Sequence, residues 1–143
     1  MSYYDTIAAM QDRDYEILAN FRYTVRRFLK FSEEAAGTVG LSPQQHQALL
    51  FARSSRNRRV TVGDLAEWLQ IKPHSAAELS SRLEVAGLIE RREDPQDRRR
   101  VLITVSDYGA RLLDSLTEVH RRELQRLKEP LRGLLTLLDD HDE

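Results

Sequence analysis

The segment Asp94-Pro95-Gln96-Asp97-Arg98-Arg99-Arg100 holds the densest chemistry in the chain. Guanidinium groups make planar, two-pronged contacts with phosphates and base edges. Asp94, Pro95 and Asp97 are turn formers, and the segment joins two β-like runs, Leu88–Arg92 and Val101–Val105. This pattern predicts a rigid hairpin that presents arginines to solvent, suited to a negatively charged DNA groove. Taken alone, such a hairpin fits a solvated surface turn equally well, and the elements before it must decide.

Other chemistries find little support. The chain has no cysteine, which excludes disulfides, thiolate metal sites and thiol nucleophiles. His46, His74, His120 and His141 show no ligand spacing, and lone histidines are usually structural. No nucleophile elbow, P-loop or glycine-rich dinucleotide signature occurs among six glycines. The expectation is a protein that is not an enzyme and needs no metal or cofactor.

Charge distribution says more than the net charge of −1. From Arg53 to Arg100, ten Arg and one Lys face eight Asp or Glu, a net of +3, which leaves −4 for the rest. Nineteen of the 22 basic residues are Arg, a bias that suits nucleic-acid contact and equally reflects codon usage. The opening residues Met1–Thr6 lack the basic-then-apolar order of a signal peptide, and no apolar run reaches membrane-spanning length. The expectation is a cytoplasmic protein of one domain, residues 1–143, without a membrane partner.

The positioning elements follow from periodicity and caps. Leu18, Phe21, Val25 and Phe28 predict a helix from about Asp14 to Glu34, ended by Gly37 and Gly40. Ser42-Pro43-Gln44-Gln45 is a capping box that opens a helix to about Ala52. Val60 is a short strand candidate. Thr61-Val62-Gly63-Asp64 caps a helix through Leu69, and Pro73 starts another that Gly87 closes near Ala86. After the hairpin, Ser106 caps a further helix, and Gly109 allows close packing in its first turn. Leu112, Leu116, Val119, Leu124 and Leu127 form an apolar stripe, with a break or kink at Pro130 before Leu131, Leu134, Leu135 and Leu138. Helical arms with apolar stripes at both ends predict a second copy of the chain as partner.

Residues 61–105 therefore read helix, turn, helix, hairpin, the winged helix-turn-helix order. In the second helix, Ala76, Leu79, Leu83 and Ala86 should face the core. His74, Ser75, Glu78 and Ser81 lie off that stripe, with Arg82 at its edge, and form a candidate base-reading face. Glu78 repels phosphates, and an i,i+4 pair with Arg82 is preferred over a cytosine contact. The fold class is mostly α with a small β-hairpin wing. A lobe of residues 42–105 is flanked by dimerisation helices at 10–34 and 106–143.

Asp94-Pro95-Gln96-Asp97-Arg98-Arg99 followed by Val101-Leu102-Ile103-Thr104-Val105-Ser106-Asp107-Tyr108-Gly109 resembles the wing and following helix start of the MarR family of bacterial transcription regulators. Leu79, Arg82-Leu83-Glu84 and Gly87-Leu88-Ile89-Glu90-Arg91 are similar to the end of that family's recognition helix. The resemblance implies an obligate homodimer on palindromic double-stranded DNA, with recognition helices in major grooves and wings in minor grooves. It implies that Asp97 orients an arginine, with Arg99 as the minor-groove finger and Arg98 beside it. It also implies a repressor released by a small, often anionic aromatic effector bound between the dimer helices and the lobe. Tyr23, Phe31, His46 and Trp68 are candidates to line such a pocket, the plainer alternative being core. Glu78 departs from the basic or neutral residue common at its position, and the lack of Cys removes the peroxide-sensing mode of some members. A reading of another class is a winged-helix protein-interaction module of the anti-activator type, which does not bind DNA.

Overall fold

The computed structural model describes the backbone of residues 11–142 and the side chains of residues 11–140. Residue 10 of the expected first arm, the side chain of His141 and the Met1–Thr6 opening lie outside the described residues. The described elements run α1 (Asp12–Thr38), α2 (Pro43–Ser54), β1 (Arg59–Thr61), α3 (Val62–Leu69), α4 (Pro73–Val85), β2 (Ile89–Asp94), β3 (Asp97–Val105) and α5 (Asp107–Asp142). The strands form one antiparallel sheet in the order β1-β3-β2, so Val60 belongs to the wing sheet and pairs with Ile103.

Local chemistry sets most element ends. Ser42 Oγ accepts from Gln45 N at 3.1 Å while Gln45 Oε1 accepts from Ser42 N at 2.9 Å. Thr61 and Asp64 repeat that exchange at the start of α3, at 3.0 and 3.1 Å. Each pair satisfies two backbone donors that a helix start leaves open. Gly40 (φ +78) and Gly87 (φ +76) adopt the left-handed turn that closes α1 and α4. There Leu41 N donates to Ala36 O, and Leu88 N to Leu83 O, both at 3.0 Å.

Three expectations change. Gly37 does not end α1, which continues to Thr38. A helical glycine costs about 1 kcal/mol, and the burial of neighbouring Ala36 in the core opposes that cost. Ala86 is exposed rather than core-facing, because it is the C-cap one residue past α4. Of the break or kink expected at Pro130, the break is absent, for α5 runs from Asp107 to Asp142 with Pro130 inside it. Proline removes one helical donor, and the long helix on either side of an exposed Pro130 absorbs that loss.

The chain divides into two compact units, Glu33–Val119 and Met1–Ser32 with His120–Glu143. The first is built on one core that includes Leu49, Leu65, Leu83, Ile103 and Leu116, each at most 2% exposed. Burying such side chains contributes roughly 1.5–3 kcal/mol each. Ala36, Leu41, Leu113 and Leu116 also join this core, so residues on both sides of 42–105 help to hold the lobe rigid. In the second unit His120 lies edge-on to Phe28 and Phe31, with centroids 6.0 and 5.5 Å away. Its Nε2 is 2.8 Å from Ser32 Oγ.

Candidate nucleic-acid interface

The wing is a hairpin whose two-residue turn, Pro95-Gln96, is fixed by flanking aspartates. Asp94 Oδ1 accepts from Gln96 N at 2.9 Å. Asp97 Oδ1 accepts from both Arg99 N at 3.1 Å and Arg99 Nε at 3.2 Å. The backbone bond fixes Asp97 in the strand, and the side-chain bond orients the guanidinium. That guanidinium remains 91% exposed. Asp97 thus gives a long side chain a direction without burying its charge. Arg98 is exposed beside it, and among the described residues no ion pair holds it. Arg100 instead lies 4.0 Å from Asp94.

The second exposed face belongs to α4. Ala76, Leu79 and Leu83 point into the core, which leaves His74, Ser75, Glu78 and Arg82 exposed and Ser81 half-buried. Lys72, the N-cap, makes no side-chain cap bond. The first-turn amides of α4 can therefore donate to an oxygen from outside. Glu78 does not pair with Arg82 as expected. Its Oε1 lies 3.2 Å from His74 Nε2, one turn toward the N-terminus. Both neighbours are one helical turn from Glu78, and the choice of His74 leaves Arg82 exposed with no ion pair among the described residues.

A clasp that sequence reasoning missed joins these two elements. Arg91 on β2 donates from Nη2 to Glu84 Oε1 at 3.2 Å and from Nη1 to Ser80 Oγ at 3.4 Å. Ser80 is 0% exposed. The opposite charges of Glu84 and Arg91 flanking Gly87 were the available signal. Ser106 ties the start of α5 to the same corner: its Oγ donates to Gly87 O at 2.6 Å and accepts from Gly109 N at 3.0 Å. Gly109 is there because any Cβ would overlap the Leu88 carbonyl oxygen.

The candidate effector residues each sit in a local setting. His46 is buried in the Glu33–Val119 unit, where half-exposed Trp68 stacks on Phe51 at 4.7 Å. Tyr23 and Phe31 belong to the other unit. Tyr23 faces solvent with Arg27 5.7 Å above its ring, and Phe31 packs on His120. Among the described residues no group of three or more His, Asp or Glu could hold a metal ion, and no helix is long and apolar enough to cross a membrane.

The chain is similar to several known proteins. Residues 39–100 match the model of the MarR family. Over 83 residues, 58% of its length, the chain is 34% identical to YcgE of Bacillus subtilis strain 168, an uncharacterised HTH-type transcriptional regulator. It spans about half (53%) of that relative's length. The fold is similar to that of Staphylococcus aureus MepR, a transcription regulator of the multidrug efflux pump MepA. The TM-score is 0.73 at 21% identity, over 86% of this chain and 96% of that one. It is also similar to a variant of Escherichia coli MarR crystallised with operator DNA, with a TM-score of 0.66 at 19% identity, over 84% and 89% of the two chains.

Proposed function

We propose that the chain, whose residues 39–100 match the MarR family model, is a member of that family and a sequence-specific, duplex-DNA-binding transcription regulator. The observation that carries the reading is the oriented, solvent-facing Arg99 on a hairpin that the Asp97 carboxylate holds in place. An arginine so held can enter a narrow minor groove, where the negative potential is greatest. The exposed face of α4 supplies the groups that read base edges, with His74, Ser75, Ser81 and Arg82 as donors or acceptors. With its carboxylate on His74, Glu78 shapes that face.

The regulator acts as a homodimer on a palindromic operator. In the arms, Leu18 and Leu135 are 59% and 62% exposed, and Phe21 and Leu138 are about half exposed. These residues line an apolar groove of about 550 Å³ together with Ile17, Leu131 and Leu134. Exposed apolar surface of that size on helical arms is covered best by a second copy, and a two-fold dimer presents two lobes to two half-sites. The regulator represses transcription and is released by a small, anionic aromatic effector, for which Tyr23, Phe31, His46 and Trp68 are the candidate contacts.

The test is a salt titration on duplexes that the protein itself selects from a random-sequence library. Log affinity should fall linearly with log salt, by about 0.9 for each phosphate contacted. A slope near zero would refute the reading and favour a protein-interaction module.

A further inference from the structure

The connection between α2 and β1, residues 55–58, reads as an ordinary polar loop, yet it carries Arg56 and Arg58 and leads directly into Arg59, the first residue of β1. All three are exposed. The loop is ordered by its own hydrogen bonds. Arg58 N donates to Ser55 O at 3.0 Å, and Ser55 Oγ donates to Arg59 O at 3.1 Å. Arg59 then enters the wing sheet opposite Thr104. Asn57 and Arg59 line a polar cleft of about 410 Å³ together with Pro95, Gln96 and Arg100 of the wing, so the loop and the wing tip border the same space.

The carboxylates of that cleft are already engaged. Asp64 accepts from Thr61 N at 3.1 Å. Asp94 accepts from Gln96 N at 2.9 Å and lies 4.0 Å from Arg100. Among the described residues none of Arg56, Arg58 and Arg59 has an ion pair, whereas Arg91, Arg99 and Arg100 each have one. Arg58 is also held at φ +57, in the left-handed region. Glycine occupies that region freely, and a long side chain does so at a cost. The local backbone would be better served without this side chain.

We propose that Arg58 and Arg59, with Arg56 beside them, form a second sugar-phosphate contact of the lobe, continuous with the wing along the β1 edge of its sheet. Exposed guanidinium groups on a loop suit phosphates, whose contacts set register and carry no base preference. The proposal rests on the reading of the chain as a duplex-DNA binder and adds a contact that lies outside both α4 and the wing tip.

Arg58→Gly separates the side chain from the backbone. It removes the guanidinium while giving the left-handed position the residue it prefers. The melting temperature should stay level or rise, while the slope of log affinity against log salt falls by about 0.9 per chain for the lost phosphate contact. At about 0.1 M salt that corresponds to about eightfold weaker binding. Arg59→Ala should lower the slope in the same way, and Arg58→Lys should keep it, because a phosphate also accepts a point charge. Arg132→Ala, on an arginine of the other unit bound to Glu129 at 2.9 Å, makes the same charge change and should leave the slope alone. The probe is a duplex selected by the unaltered chain, and ethylation interference should show protected phosphates next to those covered by the wing. If Arg58→Gly and Arg59→Ala keep the full slope, or if Arg132→Ala lowers it equally, the second contact does not exist. If the unaltered chain binds no duplex at all, the DNA reading itself falls and takes this proposal with it.

Discussion

Asp97 and Arg99 permit a test in which two mechanisms predict opposite signs. Arg99 is 91% exposed, and its pair with Asp97 at 3.2 Å is a surface pair, worth about 0–1 kcal/mol to folding. Arg99→Ala should therefore leave stability within about 0.5 kcal/mol. Its effect on DNA should be larger, because a directed arginine contact is worth about 1–3 kcal/mol. Asp97→Ala takes no group away from DNA. It frees the Arg99 side chain, which must then be ordered on binding at about 0.5–1.5 kcal/mol. Affinity should thus fall in both variants, less for Asp97→Ala. A diffuse basic patch predicts the reverse for Asp97, since removing an acid beside DNA strengthens attraction. The assay is fluorescence anisotropy on a selected duplex at fixed salt, with flanks made A·T-rich or G·C-rich. Arg99→Ala should lose more affinity on A·T-rich flanks, where the minor groove is narrow. Tighter binding by Asp97→Ala, or a flank preference that survives Arg99→Ala, would refute the oriented-finger mechanism.

Two further outcomes concern the scaffold. Gly109→Ala should lower stability by roughly 1–3 kcal/mol, read as a drop in melting temperature of roughly 2–4 °C per kcal/mol, since its Cβ would overlap Leu88 O and sit 3.0 Å from Val105 Cγ1. Removal of residues 131–143 strips Leu131, Leu134, Leu135 and Leu138 from the arm groove. It should lower both dimerisation by sedimentation and the melting temperature, and a truncated chain that stays dimeric and equally stable contradicts the assignment of the arms.

The features legible in the sequence are those whose partners lie within a few residues. Both capping boxes are exchanges between residues three apart, and the wing turn follows from Pro95 and its flanking aspartates. Features that need the chain to fold back on itself stayed hidden. Ser80 looks like a surface residue until β2 brings Arg91 against it across Gly87. Glu78 has basic neighbours one turn away in both directions, and only the folded structure distinguishes His74 from Arg82. Gly37 and Pro130 mark helix ends by propensity, a local cost of about 1 kcal/mol for Gly and about 3 for Pro that the flanking helix outweighs here.

The same division explains why a net charge of −1 says little about this lobe. Five of the eight acids between Arg53 and Arg100 are engaged in local contacts. Asp64 caps α3, Glu78 lies against His74, Glu84 holds Arg91, Asp94 fixes the turn and Asp97 directs Arg99. Each such carboxylate spends its hydrogen bonding on shape, and two of them shape the element that carries the arginines. Arg82, Arg98, Arg58 and Arg59 are left exposed with no ion pair among the described residues. A phosphate at this surface meets those free guanidinium groups at short range, within the roughly 10 Å over which ordinary salt leaves charges unscreened. The charge that matters for binding is thus the charge left over after folding; Glu67, Glu90 and Glu93 are exposed without an ion pair among the described residues, and the unpaired arginines on the wing, the α4 face and the β1 edge outnumber them.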